Sequence, residues 1–424
     1  MISSMEKDLR ESEVEWLGSV PQTWLIDNIG SLYTLRNTKV SDVDYPPLSV
    51  TMQGIVPQLD SAAKSDAHDD RKLVCKGDFV INSRSDRRGS CGIAMQDGSV
   101  SLINTVLTPR NEMNPGYYNW LFHTVQFADE FYKWGHGIVD DLWTTNWQEM
   151  KRISVPMPPL DVQERISKYL DSIIEEINSI ISDANESIDE YREWKFALIR
   201  EAVTKGIKHY DRFRDTDIEW MKSVPEEWNV TKLHNICSFL TGGTPSTSNP
   251  EWFGGNLQWF TPGDFNDLYD MYESARTLTQ KAKEDNVARI VPADTVLLIG
   301  IGGTAGKIGY TRVECSFNQQ ITAITPKYDS VYSRYLMYSL IPAATYLKET
   351  IMHTTLPIIN NQTLGGVSIA IPDVSTQKEI VDYLDKKCPS IEALINEKKA
   401  LIDELEEFKK SVIYETVTGK RKVV

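Results

Sequence analysis

Cysteine is scarce in this chain of 424 residues, which contains five of them. The number is odd, and no two cysteines form a Cys-x-x-Cys pair. A disulfide framework or a cysteine-based zinc site needs paired cysteines, so the sequence argues against both. The six histidines are scattered without the spacing of metal ligands, and no metal site is predicted. Free cysteines are typical of a reducing compartment, so we expect a cytoplasmic protein.

Long apolar runs and an excess of positive charge are also missing. The longest apolar run is TVLLIGI at residues 295–301, whereas a membrane helix needs about 20 residues. We therefore expect no contact with a membrane. The net charge is −15, and no segment of the chain is basic overall. Because phosphate contacts require Lys and Arg, any binding of nucleic acid has to use a local cluster of these residues.

Signatures of catalysis are incomplete. Residues 300–307 read GIGGTAGK and resemble a phosphate-binding loop, but Ile301 occupies a required glycine position and Ile308 replaces a required Ser or Thr. Residues 114–117 read NPGY and resemble the tetrad of amino-methyltransferases, but Gly116 stands where the second proline belongs. No combination of nucleophile, base and oxyanion donors is recognisable. The sequence therefore predicts a chain without catalytic activity of its own.

What the chain does contain is a repeat of itself. Residues 15–24 read EWLGSVPQTW, and residues 219–228 read EWMKSVPEEW. Further along, residues 157–171 (MPPLDVQERISKYLD) align with residues 371–385 (IPDVSTQKEIVDYLD). Similarity that keeps the same order along the chain indicates two copies of one structural unit. Each copy consists of an irregular, strand-rich part followed by a long polar helix.

The two long helices are predicted from the period of their apolar residues. No Gly or Pro interrupts residues 161–204, where apolar residues recur at alternating steps of four and three. The same steps recur between residues 380 and 412, and this is the period of a coiled coil. Two such helices in one chain can bury each other's seam in an antiparallel pair. The predicted seam and partner-docking positions are Ile166, Leu170, Ile173, Ile177, Ile180, Tyr191, Trp194, Leu198, Ile380, Leu384, Ile391, Leu394, Leu401, Leu405, Phe408 and Val412.

The other parts of each copy predict strands and turns, because β-branched runs alternate there with Gly, Asn and Asp. The expected fold class is α+β, with two mixed α/β domains separated by two long helices. The helices form an antiparallel coiled coil, and the whole chain is a pseudo-twofold internal repeat. The predicted domains are residues 1–157 and 207–371, and the predicted helical segments are residues 158–206 and 372–424.

Polar loops in the two domains are the candidate DNA-binding elements. Residues 83–90 read SRSDRRGS, and a flexible Arg in such a loop can hold a guanine edge or a phosphate with two parallel bonds. Asn and Gln suit adenine, and Thr suits phosphate or a thymine methyl group. A solvated loop without a ligand is the alternative interpretation. The candidate residues are Ser83, Arg84, Ser85, Arg87, Arg88 and His136 in the first domain, and Thr244, Ser246, Lys307, Gln319, Gln320, His353 and Thr354 in the second.

These motifs together resemble a known family. The chain is similar to specificity subunits of type I restriction–modification systems. The similarity lies in the stretch TGGTPSTSNPEWFGGNLQWFTPGDFND (241–267), in the two Ser-Val-Pro-x-x-Trp segments and in the two x-x-Tyr-Leu-Asp helix starts. The resemblance covers the whole chain. It implies two target-recognition domains, each of which reads one half of a bipartite target in double-stranded DNA.

The resemblance also implies partners and cofactors. The helices would set the spacer and dock two modification subunits, which are adenine methyltransferases, while restriction subunits would add ATP-driven translocation and cleavage. S-adenosylmethionine, ATP and Mg²⁺ would belong to those subunits, with no cofactor in this chain. Two other functions stay open at this point. The chain could be a coiled-coil scaffold or adaptor that does not read DNA, or an orphan DNA methyltransferase, although the tetrad and cofactor loop are missing.

Overall fold

The computed structural model describes residues 8–59, 69–84, 88–137, 143–351 and 358–423. Contacts within the chain define two compact units. Unit 1 consists of Met1–Asp183 and Leu401–Val424, and unit 2 consists of Ala184–Ala400. No helix in the described part of the chain combines the length and apolar character needed to cross a bilayer.

Unit 1 consists mainly of short strands. Its elements are β1 (Leu9–Glu11), β2 (Ser19–Pro21), β3 (Leu25–Asn28), α1 (Ile29–Leu32), β4 (Tyr33–Arg36), β5 (Lys39–Val40), β6 (Leu48–Thr51), β7 (Gly54–Pro57), β8 (Arg71–Val74), β9 (Phe79–Asn82), β10 (Cys91–Ile93), β11 (Gly98–Ser101), β12 (Asn104–Pro109), α2 (Pro115–Phe122), α3 (Val125–Lys133), α4 (Trp147–Met150), β13 (Ser154–Met157) and the first part of α5 (Leu160–Lys205).

The sheets of unit 1 are antiparallel and pack around an aromatic core. The main sheet has the order β10-β9-β12-β4, a second has the order β11-β8-β5, and β1/β2, β3/β13 and β6/β7 form pairs. Helix α2 begins where the Asn114 side chain accepts a hydrogen bond from the Tyr117 amide at 2.9 Å. The rings of Phe79 on β9 and Phe122 on α2 lie 4.3 Å apart. This contact fixes α2 on the sheet that carries the candidate loop at residues 83–90.

Unit 2 repeats this plan with longer elements. They are β14 (Phe213–Ile218), β15 (Met221–Pro225), β16 (Asn229–Lys232), α6 (Leu233–Ile236), β17 (Cys237–Thr241), β18 (Phe253–Phe260), β19 (Asp270–Met271), β20 (Thr277–Leu278), α7 (Gln280–Glu284), β21 (Thr295–Ile299), β22 (Ile308–Thr311), β23 (Cys315–Phe317), β24 (Ile321–Pro326), α8 (Ser333–Ile351), α9 (Asn361–Gly366), β25 (Ser368–Ile371) and α10 (Val374–Val417), whose last part belongs to unit 1.

Strand order confirms the internal repeat. The main sheet of unit 2 has the order β17-β24-β21-β22-β19, and its first four strands correspond to β4-β12-β9-β10 of unit 1. The pairs β14/β15 and β16/β25 correspond to β1/β2 and β3/β13. Unit 2 adds parallel pairings of β19 with β22 and of β18 with β23. The predicted α+β class with two mixed domains and two long helices is therefore confirmed.

Within each unit, one end of α5 packs on the opposite end of α10. In unit 1, Ile174 and Ile177 near the start of α5 form a buried cluster with Val412 near the end of α10. In unit 2, the core includes Ile199 near the end of α5 and Leu384 near the start of α10. The two helices are antiparallel in both places, as the sequence predicted.

The apolar stripe along these helices differs from the predicted seam. Seven predicted positions are buried, namely Ile166, Leu170, Ile177, Ile380, Leu384, Ile391 and Val412. Elsewhere the prediction was wrong by one residue: Ile174 is buried in place of Ile173, and Ile395 in place of Leu394. The predicted positions Ile180, Trp194, Leu394, Leu401 and Phe408 are exposed, and Ile173, Tyr191, Leu198 and Leu405 are half-buried. A straight helix drifts about 20° per heptad from a strict seven-residue period, so the buried stripe moves to the next position. Whether these residues dock a partner stays a prediction.

Candidate nucleic-acid interface

The repeated decapeptides hold the ends of the long helices. After α10, Gly419 has a φ of +75°, and a Cβ there would lie 2.9 Å from the ring of Trp24. After α5, Gly206 has a φ of +79°, and a Cβ there would lie 3.1 Å from the ring of Trp228. Both glycines adopt the left-handed conformation that ends a helix, and both allow a tryptophan to pack closely. This explains why each decapeptide ends in tryptophan.

In each unit, a hydrogen bond from a tyrosine hydroxyl also joins the domain to the long helices. In unit 1, the Tyr117 hydroxyl donates to the Val417 carbonyl at 2.8 Å. In unit 2, the Tyr335 hydroxyl donates to the Ala370 carbonyl at 2.9 Å and lies 3.5 Å from the Val203 carbonyl. Val203 and Val417 are aligned in the repeat. The two units therefore attach their domains to equivalent points of the frame.

The aspartates of the two Tyr-Leu-Asp motifs form a third connection between domain and long helix within each unit. Trp120 donates its Nε1–H to Asp171 Oδ1 at 2.8 Å in unit 1. The Tyr338 hydroxyl donates to Asp385 Oδ1 at 2.6 Å in unit 2. Burial, followed by the hydrogen bond to Asp385, raises the pKa of Tyr338, so the hydroxyl stays protonated and keeps donating. The motif was visible in the sequence, but its hydrogen-bond partner was not.

In unit 1, the structure brings three of the predicted residues together. The Ser83 carbonyl accepts from the Thr145 amide at 3.0 Å, and the His136 and Thr144 backbones exchange hydrogen bonds at 3.0 and 3.1 Å. Arg84 forms a β-bridge with Thr144 as well. Segment 143–145 thus lies between the Arg84 loop and His136. Both the Arg84 and His136 side chains are exposed, so a guanidinium and an imidazole are presented from one polar surface.

Arg88 has a different environment. It forms an ion pair with Asp129 on α3, and its guanidinium carbon lies 4.8 Å from the centre of the Tyr132 ring. These contacts anchor the end of the loop to α3, so this Arg is less available to a ligand than Arg84. Ser85 and Arg87 lie outside the described residues.

The aromatic wall beside the Arg84 loop was missed by sequence reasoning. The Tyr132 and Trp143 rings stack with centroids 5.6 Å apart, and Trp143 Nε1 donates to the Tyr132 carbonyl at 3.0 Å. At Gly135, a Cβ would lie 2.3 Å from Trp143 Nε1, so only glycine fits beside this ring. The glycines on both sides of His136 were the available signal. Together the rings and Arg84 line one small pocket.

In unit 2, Thr244, Gln319 and Gln320 are neighbours. The Thr244 hydroxyl donates to Gln319 Oε1, which leaves the Gln319 amide nitrogen to donate to another acceptor. Gln320 Nε2 donates to the Ile301 carbonyl at 3.4 Å, next to the glycine turn between β21 and β22. Ser246 contacts Ser248 through their hydroxyls at 2.5 Å on the same exposed loop as Thr244. These contacts make a neutral, donor-rich surface.

Lys307 is not part of this surface. It lines a cavity together with residues of α5 and α8. His353 and Thr354 lie outside the described residues. The polar loops of the two units therefore differ in charge as well as in sequence. Unit 1 presents Arg84 and His136, while unit 2 presents hydroxyls and amides.

The part of the chain that the structure describes contains neither a cluster of metal ligands nor a thiol of lowered pKa. No group of three or more His, Cys, Asp or Glu side chains there could hold a metal ion. Burial raises the pKa of Cys237 and Cys315 to about 12 and that of Cys388 to about 11. Thiols with such pKa values stay protonated at neutral pH and are poor nucleophiles.

The geometry defines a class of protein in which a repeated helical frame carries two mixed α/β domains with unlike polar loops. Residues 225–406 match the family model for the "Type I restriction modification DNA specificity domain". The MjaIX specificity subunit of Methanocaldococcus jannaschii is 34% identical over 41% of this chain and 40% of its own length. The putative MjaX specificity subunit of the same organism is 21% identical over 99% of this chain and 97% of its own length. The EcoR124I/EcoR124II specificity subunit of Escherichia coli is 22% identical over 58% of this chain and 57% of its own length.

Solved structures share the fold. A chain from a study of complex assembly and conformational transition of the type I R-M system superposes with a TM-score of 0.72, at 16% identity, over 95% of this chain and 99% of that one. The HsdS subunit from Thermoanaerobacter tengcongensis gives a TM-score of 0.52, at 16% identity, over 95% of this chain and 98% of that one. The resemblance to specificity subunits of type I restriction–modification systems is confirmed: residues 225–406 match the family model of their DNA specificity domain, and a specificity subunit aligns over 99% of the chain.

Proposed function

We propose that this chain is the DNA-reading, non-catalytic subunit of a type I restriction–modification complex. Each domain reads one half of a bipartite target, and the long helices set the spacer between the halves. Two methyltransferase subunits dock on the repeated frame and modify adenine, one in each half-site. The chain selects where methylation occurs and performs no chemistry.

One observation supports this proposal more than any other. The contacts that join domain to helix are equivalent in the two units, while the polar loops that face solvent are not. The Tyr117–Val417 and Tyr335–Val203 contacts illustrate the constant part. Arg84 in unit 1 and Gln319 in unit 2 illustrate the variable part. A constant frame suits two identical partner subunits, because a repeated surface offers two equivalent docking sites. Variable loops suit two different half-sites, because base edges are distinguished by their donor and acceptor patterns.

The proposal assigns the cofactors to partner subunits. S-adenosylmethionine would be held by the methyltransferase subunits, and ATP and Mg²⁺ by restriction subunits, whose translocation and cleavage would act at the same target. The exposed apolar side chains of the long helices, among them Trp194 and Phe408, are candidates for the docking surface. Trp194 and Phe408 are aligned in the repeat, so each unit presents one exposed aromatic ring at an equivalent point, which is what two identical partners would require.

The experiment is single-molecule methylome sequencing of the source cells with and without the gene. We expect one bipartite N6-methyladenine motif to disappear on deletion and to return on complementation. A methylome that does not change, together with failure of any methyltransferase to co-purify with the chain, would overturn the proposal. A pure scaffold or adaptor would bind partners without specifying a motif. An orphan methyltransferase would methylate DNA as the purified chain alone.

A further inference from the structure

Unit 2 contains a cavity of about 340 Å³ with a cationic lining. Its charged residues are Arg192 and Lys195 of α5, Lys307 of the turn between β21 and β22, Lys348 of α8, and the acidic Asp267 and Glu392. Four cations thus face two acids in a chain whose net charge is −15. We propose that this cavity holds a backbone phosphate of the DNA duplex, so that the long helix α5 contributes directly to DNA binding. The proposal rests on the DNA-reading function given above and adds a phosphate site to it.

The acidic residue deepest in the cavity is already neutralised. Lys195 Nζ lies 2.6 Å from Glu392 Oε2, and it also donates to the Asp267 carbonyl at 3.1 Å. The buried carboxylate is therefore paired with a cation and repels an entering phosphate only weakly. Arg192 pairs with Asp189 at 3.0 Å, on the exposed side of α5. The two remaining lysines, Lys307 and Lys348, then stand against one remaining carboxylate in the lining, that of Asp267, which leaves the cavity with an excess of one positive charge.

Those two lysines are brought together by a glycine. Gly306 has a φ of +90°, and a Cβ there would lie 3.2 Å from the Ala344 carbonyl and 3.5 Å from the Cβ of Lys348. Only glycine adopts this conformation easily and also lets the turn pack this closely on α8. Lys307 is the next residue and is exposed, while Lys348 is half-buried. Within the described residues, neither lysine has an acidic side chain at ion-pair distance, so both ammonium groups are available to an anion.

Unit 1 does not repeat this chemistry. The Asn82 amide donates to the Ser90 carbonyl at 2.9 Å, just as the Ile299 amide donates to the Lys307 carbonyl at 3.0 Å, so the uncharged Ser90 stands at the position of Lys307. On the long helices, Glu406 stands at the position of Arg192. The frame contacts are kept in both units, but the cationic residues of the cavity are found in unit 2. A cationic site that is present in unit 2 and not repeated in unit 1 is expected to bind the DNA contacted by unit 2. Unit 2 also lacks an exposed Arg among its predicted loop residues, and a phosphate site would supply the missing electrostatic attraction.

The test measures how DNA affinity depends on salt. The full chain, purified with its partner subunits, is titrated onto fluorescent 30-bp duplexes over a series of KCl concentrations. Each phosphate contact adds about 0.9 to the slope of log K against log salt. We expect the double substitution Lys307→Gln and Lys348→Gln to flatten that slope by about 1 to 2 units and to weaken binding about tenfold. The loss should be the same on every duplex, and the methylated motif in cells should not change, because phosphate contacts carry no sequence information.

The matched control is the double substitution Lys281→Gln and Lys283→Gln, which makes the same change of charge in unit 2 at lysines paired with Glu251 at 2.8 Å and Glu314 at 2.5 Å. It should leave the slope unchanged. Equal flattening by the control would mean a general charge effect and would overturn the site. An altered methylated motif would assign the lysines to base reading, and lost co-purification of partners with an unchanged slope would assign the cavity to a protein. Competition by inorganic pyrophosphate with an unchanged slope would assign it to a free phosphate ligand. Failure of the proposed function has a different signature, since the unmodified complex would then specify no motif.

Discussion

Lys195 Nζ lies 2.6 Å from Glu392 Oε2 in unit 2, with only 10% and 6% of the two side chains exposed. At the aligned positions of unit 1, Lys409 Nζ donates to Asn178 Oδ1 at 2.8 Å. The repeat therefore holds an ion pair in one unit and a bond to a neutral acceptor in the other. Desolvation offsets much of the attraction within a buried ion pair. Stability is lost when one partner of the pair is removed, because the other then remains buried as an unpaired charge.

This relationship predicts unequal effects of the same substitution. Lys195→Met should lower the free energy of unfolding by about 3 to 5 kcal/mol, because Glu392 then stays buried without a cation. The double variant Lys195→Met with Glu392→Leu should be close to the unmodified protein. Lys409→Met should cost at most about 1 kcal/mol, because Asn178 carries no charge and the other partner of Lys409, Glu406 at 3.7 Å, keeps 47% of its side chain exposed to solvent. Urea unfolding of the three variants gives these differences. Similar losses at both lysines would show that the Glu392 charge does not matter.

The frame was predictable because its contacts are made by residues in repeated motifs. Gln163 and Gln377, each in an aligned helix start, make matching bonds. Gln163 accepts from the Asn114 amide at 2.9 Å, and Gln377 accepts from the Tyr332 amide at 2.8 Å. Each Gln also donates to the carbonyl of the proline five residues earlier at 2.8 Å. A contact that is made in both units requires the same residue types in both copies, so aligning the two copies of the sequence reveals it.

The pairing across the helices and the loop contacts were not predictable in this way. Lys195 was not counted as a seam position, because a lysine is expected on a solvated face. Its partner, Glu392, lies 197 residues further along the chain on α10. The sequence predicted the facing positions of the two helices from a strict heptad period, and the structure does not follow that period. At the candidate site, the sequence identified Arg84 and Arg88 as equivalent, and only the structure separates them. Asp129, which forms the ion pair with Arg88, lies on α3, and nothing in the sequence indicated that this helix contacts the loop.

The glycines that end the long helices should tolerate no side chain. Gly206→Ala and Gly419→Ala would force an L-residue into the left-handed conformation. The added Cβ would lie 2.6 Å from the Tyr210 ring and 3.1 Å from the Trp228 ring at Gly206, and 2.9 Å from the Trp24 ring at Gly419. Each should destabilise its unit by about 2 to 3 kcal/mol, from backbone strain and overpacking together. Gly243→Ala is the matched control, since nothing lies within 4 Å of its Cβ position. Thermal unfolding measures the three, and a neutral effect at either helix end would contradict the packing described for that tryptophan.

The start of α10 should lose stability in acid at one identifiable residue. Asp373 accepts from the Ser375 and Thr376 amides at 3.0 and 3.1 Å and from the Thr376 hydroxyl at 2.6 Å. The bonds from Thr376, hydroxyl first, lower the pKa of Asp373 below its usual value. A lowered pKa means that the stabilising contribution is present above the unfolded-state pKa and is lost as the pH falls through the folded-state pKa.

Asp373→Ala should therefore cost about 1 kcal/mol at pH 7 and progressively less below about pH 4. Asp373→Asn keeps an acceptor at the cap and should show a smaller cost at pH 7. Unfolding free energies measured from pH 7 to pH 2.5 separate the two variants. An Asp373→Ala effect that is the same at both ends of this range would rule out a contribution from the charged cap.

Substitutions in the candidate loops should act on one half-site each. Arg84→Ala should relax or abolish recognition of one half of the methylated motif and leave the other half unchanged. Thr244→Ala with Gln319→Ala should do the same to the other half. Arg87→Ala is expected to act like Arg84→Ala, although Arg87 lies outside the described residues. Methylome sequencing of cells carrying each variant reads out both halves. Loss of complex assembly with either variant would mean that the loop is structural.

Shortening the helical frame should change the spacer. Deletion of residues 182–188 together with 396–402 removes seven residues from each helix and largely preserves which faces are apolar, because seven residues are nearly two full turns. At a rise of about 1.5 Å per residue the frame shortens by about 10 Å, close to three base pairs of DNA. If the helices set the spacer, the new motif should keep both half-sites and bring them closer, or methylation should cease while the partner subunits still co-purify. A deletion in one helix alone should abolish assembly, since the two stripes then no longer match. An unchanged spacer in an active complex would mean that the gap between the half-sites is fixed by the partner subunits.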